Sequence, residues 1–87
     1  MSNRPTVVDV RTPEEFAEGH VPGSINLPLH ELPARFEELR GLPEPLIMCC
    51  RSGVRSDHAM HFLLDQGFTD VQNGGPWQNV QAQLHGS

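Results

Sequence analysis

The feature that most limits the folds open to this chain is its punctuation. Eight glycines and eight prolines are spread through 87 residues, so no stretch can continue as a long helix or a long strand. The segments between them alternate in type. Val7-Val8-Asp9-Val10 is a short β-branched run with only Asp9 polar, the pattern of a strand buried on both faces. Thr12-Pro13-Glu14-Glu15 then has the marks of a helix start, with Thr12 as N-cap, Pro13 at the first helical position and Glu15 at the capping-box position. Gly19 stops that helix early. Pro22-Gly23 signals a turn, Ser24 to Leu27 a second short strand, and Leu32, Phe36 and Leu39 the apolar face of a helix that ends by Gly41.

Beyond the connector Leu42-Pro43-Glu44-Pro45, Leu46 to Cys50 reads as another buried strand and Arg51 to Arg55 as a polar loop around Gly53. A helix follows from about Ser56 to Gln66, with Ala59, Met60, Phe62, Leu63 and Leu64 as its apolar face and Gly67 as its cap. Phe68 to Gln72 is expected as a strand, Asn73-Gly74-Gly75-Pro76 as a turn and Trp77 to Leu84 as a closing helix. This alternation predicts one α/β domain over residues 1–87, with a central, mainly parallel sheet covered by helices on both faces. Ligands of such sheets bind at the carboxyl ends of the strands, where Cys50 falls.

Composition removes several function classes. Eleven acidic residues stand against six cations, all of them Arg, for a net charge of −5. That balance, without any basic run, argues against nucleic acid as a partner. The longest apolar run, Leu46 to Cys50, is too short to span a bilayer or to form a signal-peptide core, so no membrane partner is expected. Cys49 and Cys50 are adjacent and could join each other only through a strained ring, so no structural disulfide is expected. A reducing compartment, the cytoplasm, is the expected location for such a chain if no leader has been removed.

A cysteine at the end of a buried strand, followed by a short glycine-containing loop and a helix N-terminus, meets converging N–H groups and the positive end of a helix dipole. Arg51 and Arg55 add two permanent charges. Together these would lower the Cys50 thiol pKa and suit it to act as a nucleophile or as an anion-flanked carrier. The plainer alternative is an ordinary buried strand cysteine beside a solvated arginine face.

Four blocks in order resemble the rhodanese-homology domain, and in particular its small single-domain sulfurtransferases. Val8-Asp9-Val10-Arg11 with Glu14-Glu15-Phe16 is similar to the opening D-V-R…E-[FY] segment. Gly19 to Pro28 resembles the G-H-[IV]-P-G-[AS]-x-N-[IL]-P block, Cys50 to Ser56 the active-site loop, and Gly67-Phe68 with Gly74-Gly75 and Trp77 the closing G-[FY]…G-G…W pattern. The resemblance implies that Cys50 becomes a persulfide cradled by the amides of Arg51, Ser52, Gly53, Val54 and Arg55, with Arg51 and Arg55 orienting an anionic donor such as thiosulfate. It gives Asp9, Arg11 and Glu15 a supporting role, with Arg11 paired to Glu15, and leaves Trp77 as either a pocket wall or a core residue. Many family members have a strand and helix before the D-V-R strand, and six residues precede Val7 here, so the fold is expected to be N-terminally short.

Competing patterns are weaker. Cys49 with Arg55-Ser56 satisfies the bare C-x5-R-[ST] pattern of cysteine phosphatases, but the glycine falls out of place and Met48 stands where that pattern has His. Counted from Cys50, six residues run through Arg55, the length the rhodanese family associates with sulfur; its phosphatase and arsenate-reductase relatives use one more. Strand alternation turns Cys49 away from the loop, toward core packing, with a resolving or sulfur-accepting thiol as the alternative. His58 and His61 share a helix face without a third ligand, so no metal is expected, and His20 reads as a turn anchor rather than a base. The expected function is sulfur transfer through a Cys50 persulfide from thiosulfate or a persulfide donor to cyanide or a thiol, a protein thiol included, with no separate cofactor. A persulfide carrier or docking module that turns over small donors slowly is the alternative.

Overall fold

A computed structural model describes residues 5–85. Strand β1 (Thr6–Asp9) leads to helix α1 (Pro13–Glu18), and the two-residue strand β2 (Ile25–Asn26) leads to a short helix α2 (Leu32–Arg35). Strand β3 (Leu46–Cys50), helix α3 (Val54–Asp65), strand β4 (Val71–Pro76) and helix α4 (Trp77–His85) complete the order. The four strands form one sheet in the order β2-β1-β3-β4, and every pair is parallel, as expected of strands joined through helical crossovers.

The strand order reverses direction between β1 and β3, which opens a crevice at their carboxyl ends. Side-chain alternation sorts the core into two layers. Val8, Val10, Leu46, Met48 and Cys50 face a cluster with Leu27, Leu32, Leu39, Ala59, Leu63 and Phe68, whereas Val7 and Cys49 pack with Val21 and Val80 on the other face.

Three local expectations are corrected. The helix expected through Leu32, Phe36 and Leu39 is one α-turn between two 3-10 turns, Leu29–Glu31 and Phe36–Leu39. Pro28 and Pro33 withhold amide donors there, and the tighter turns still deliver Leu32 and Leu39 to the core. Helix α3 begins at Val54 rather than Ser56, so Val54 and Arg55 belong to its first turn. The segment Asn73-Gly74-Gly75-Pro76 is not a turn but the body of β4, whose strand begins only at Val71.

That last difference has a packing cause. Met48 pairs with Asn73 and Cys49 with Gly75, so Gly74 is an extra residue in β4 and forms a bulge. A Cβ on Gly74 would lie 2.6 Å from Val80 Cγ2 and 2.7 Å from Ile47 Cγ2. The glycine therefore serves close approach between strand, neighbour strand and helix rather than chain reversal. Gly74→Ala is expected to lower unfolding stability by about 2 kcal/mol through overpacking, measured by urea denaturation.

Candidate active site

Strand β3 presents Cys50 at its last position, and Arg51–Gly53 carry the chain into α3. So short a passage needs Gly53 in the left-handed region, at φ +100°. A side chain there would also crowd β4, its Cβ falling 3.3 Å from Gly75 Cα. In this geometry the Gly53 N–H donates to Cys50 Sγ at 2.9 Å, and the Ser56 hydroxyl lies 3.4 Å from the same sulfur. Burial pushes the thiol pKa up, but hydrogen bonding by the Ser56 side chain and by the amides of Ser56, Gly53 and Ser52 outweighs it. The net result is a Cys50 thiol below its ordinary value.

Arg55 is placed differently from expectation. Arg55 grips Glu15 with both ends of its guanidinium, Nη1 to Oε1 at 2.8 Å and Nη2 to Oε2 at 3.1 Å, which ties the first turn of α3 to α1. The hydrogen bond from Arg55, followed by the one from the Thr12 backbone, holds the Glu15 carboxyl at about 2. Arg51 is exposed. The depressed thiol is thus the work of hydroxyl and amide donors more than of the two guanidinium charges.

The expected Arg11–Glu15 pair does not form either. Asp9 is completely buried at the end of β1 and takes the nearest cation. Arg11 donates from Nε to Oδ1 at 2.9 Å and from Nη2 to Oδ2 at 2.7 Å, and its own amide reaches Oδ1 at 3.0 Å. Arg11 also donates to the Gly19 carbonyl at 2.6 Å and lies 5.1 Å from the centre of the Trp77 ring. Asn26 donates to the carbonyls of Asp9 and Arg11 and pins the chain where it leaves β1. Asp9, Arg11 and Glu15 therefore brace the crevice from the β1 side, through separate partners.

A cavity of about 220 Å³ opens beside the loop, lined by Arg11, Glu15, Glu18, Gly19, Arg51, Trp77 and Gln78. Trp77 does both things left open for it, since it walls this cavity and packs on the cluster around Cys49. A second cavity, about 270 Å³, lies on the Arg55 side between Val10, Thr12, Pro28, Leu29 and His30. A larger cavity, about 540 Å³, sits at the amino ends of the strands near Thr6, Val7 and Pro43, with no ionisable side chain in its lining among the described residues.

Cys49 is buried on the opposite face, and burial first, then the Asp9 charge, push its thiol up to about 12. His20 bonds the Phe16 carbonyl through Nδ1 at 2.8 Å and stacks on the Phe16 ring. His61 lies 3.5 Å from Asp57, and among the described residues no three ligating side chains converge as a metal site would require. No helix among them is long and apolar enough to cross a membrane. Two residues beside the Cys50 sulfur are given no role by the sequence pattern: Ser56 is visible there as the residue one helical turn beyond Gly53, whereas Asn73 carries no local signal because its segment has the composition of a turn.

The family model for the rhodanese-like domain matches residues 1–75, and the chain belongs to that family. It is 40% identical over 67 residues to a protein named sulfurtransferase from Allochromatium vinosum, an alignment covering 77% of this chain and 62% of that one. It is 43% identical over 65 residues to the thiosulfate sulfurtransferase GlpE of Stutzerimonas stutzeri, covering 75% of this chain and 59% of that one. The chain thus spans about three-fifths of the length of these two relatives. Among solved structures, a rhodanese with anions from E. coli superposes with a TM-score of 0.79 at 31% identity, covering 87% of this chain and 91% of that one.

The Glu15–Arg55 bridge gives a pH prediction. Because the folded-state carboxyl sits below its ordinary 4.5, the bridge stabilises fully above that value, and its contribution is lost as pH falls through about 2. Glu15→Gln should cost on the order of 1–2 kcal/mol at pH 6, with the gap to wild type closing toward pH 2 in urea titrations.

Proposed function

We propose that this protein is a sulfurtransferase in which Cys50 carries a sulfane sulfur as a persulfide, taken from thiosulfate or another persulfide and passed to cyanide or a thiol. The observation that carries this reading is the Cys50 sulfur held 2.9 Å from the Gly53 amide and 3.4 Å from the Ser56 hydroxyl, at the N-terminus of a 12-residue helix. Family membership and similarity to proteins named as sulfurtransferases support it. The thiolate attacks the outer sulfur of the donor, the donor S–S bond breaks, and sulfite or a thiolate leaves with the electron pair. Cyanide carbon or an acceptor thiolate then attacks the outer sulfur of the persulfide, and Cys50 departs as thiolate. Atoms and charge balance without a metal or organic cofactor.

The donors around the sulfur would stabilise negative charge both on the resting thiolate and on the persulfide. The amides of Ser52, Gly53 and Ser56 bear on the Cys50 sulfur, and those of Arg51, Val54 and Arg55 would complete the cradle around the outer sulfur of the persulfide. Arg51, exposed on the cavity wall, is the cation that would meet an anionic donor. A phosphatase reading would have to start its loop at Cys49, and that thiol is buried in the opposite layer with its pKa pushed up to about 12. The carrier reading uses the same cysteine and differs in turnover alone.

Incubation with thiosulfate should add one sulfur mass to wild type and to Cys49→Ala, and none to Cys50→Ser. Added cyanide should discharge it as thiocyanate. Loading of Cys50→Ser, or none on wild type with thiosulfate or an organic persulfide, would overturn the assignment. Loading followed by slow discharge would select the carrier.

A further inference from the structure

The Ser56 hydroxyl has one proton and three acceptors around it: Cys50 Sγ at 3.4 Å, the Gly53 carbonyl at 3.1 Å and Asn73 Oδ1 at 2.6 Å. The Asn73 amide has one orientation open to it. Gly75 N–H, which can only donate, lies 3.0 Å from Oδ1, and the Gly53 carbonyl, which can only accept, lies 3.1 Å from Nδ2. The amide oxygen therefore faces Ser56. The shortest contact sets the resting arrangement, in which Ser56 donates to Asn73 while its lone pair accepts from the Cys50 S–H. When the thiol loses its proton to water, the sulfur becomes an acceptor. The Ser56 proton must then leave the 2.6 Å bond to serve it, and the Asn73 oxygen keeps the Gly75 amide.

We propose that Asn73 is a positioning residue for the Cys50 sulfur: by competing for the Ser56 hydroxyl, it sets how readily the sulfur gains that donor. The bulge at Gly74 places it, since Asn73 holds the register of Met48 just before the strands slip. The influence is one of hydrogen bonding alone, because β4 brings no ionisable group. The charged and titratable groups on the other elements around the thiol are Cys49 of β3, Arg51 of the loop, Arg55 of α3 with its Glu15 partner from α1, and the Asp9–Arg11 pair after β1. The single substitutions below leave all of these in place.

The inference rests on Cys50 as the nucleophile, and its test reads the thiol directly, so a chain that loads no sulfur still reports on Asn73. The measurement is the pH dependence of Cys50 alkylation by iodoacetamide, with the modified peptide identified by mass. Ser56→Ala is expected to raise the titration midpoint by about half a pH unit or more, and Asn73→Ala to lower it by about half a unit. The double variant should titrate like Ser56→Ala alone. A residue that merely stiffens the loop would act in the opposite sense, since a loosened amide cradle raises the midpoint. The proposal is overturned if Ser56→Ala leaves the midpoint in place, if Asn73→Ala raises it or leaves it unchanged, or if its downward shift persists without Ser56. Should Asn73→Ala fail to fold, Asn73→Ser, one bond too short to hold the Ser56 hydroxyl, takes its place with the same expected shift.

Discussion

The bond from the Gly53 amide to the Cys50 sulfur is the constraint around which the carboxyl end of the sheet is arranged. To make it, the chain must pass from β3 to α3 in three residues, and only a left-handed residue lets the helix start so soon. The tight turn then presses against β4, where Gly75 lies within contact of the position a Gly53 side chain would take. Gly74 lets β4 slip one place and clears room for Ile47 and Val80. Three glycines on two elements thus answer to one sulfur. Without donors, a thiol this deeply buried would stay protonated, as its neighbour Cys49 does; with them, burial is offset and the sulfur can hold charge.

The acidic groups beside the crevice have a mechanical role. Asp9 and Glu15 engage Arg11 and Arg55, one fixing the exit of β1 and the other joining α1 to the first turn of α3. Among the described residues, Arg51 is the arginine of the cavity lining without a carboxylate partner, and Glu18 stands in the same wall. An anion entering there meets little net positive charge. Its stabilisation has to come from oriented N–H groups at the helix terminus, which act at contact range and select for a small reacting atom more than for overall charge.

The parts of this structure that were legible in the sequence are those written in neighbouring residues. Thr12-Pro13-Glu14-Glu15 foretold the α1 cap, and Thr12 and Glu15 close the capping box from both sides. The β-branched run at Val7 and the apolar run at Leu46 gave two central strands, and with them the carboxyl end at which Cys50 sits. What escaped was non-local. The pair Gly74-Gly75 has the composition of a turn, and only pairing with Met48 and Cys49 makes it strand. Glu15 and Arg55 are 40 residues apart, so no spacing rule could match them, and the nearer choice of Arg11 failed because Asp9 is buried and closer. Asn73 belongs to the same class, since its bond to Ser56 exists only once β4 lies beside β3.

The adjacent thiols show how much chemistry a period of two can separate. Cys49 and Cys50 are both fully buried and differ by one step along the same strand. That step sends Cys49 into the layer with Val7, Val21 and Val80, where burial and then the Asp9 carboxylate oppose its ionisation. Cys50 faces the other layer at the strand's end, where the backbone has already turned and its amides are free to converge. A one-residue slip of β3 would exchange the two environments and leave the helix terminus without a sulfur. The pairing of Val8 with Met48 and of Asp9 with Cys49, deep in the sheet and remote from solvent, is therefore as much a determinant of the environment of the Cys50 thiol as any residue that touches it.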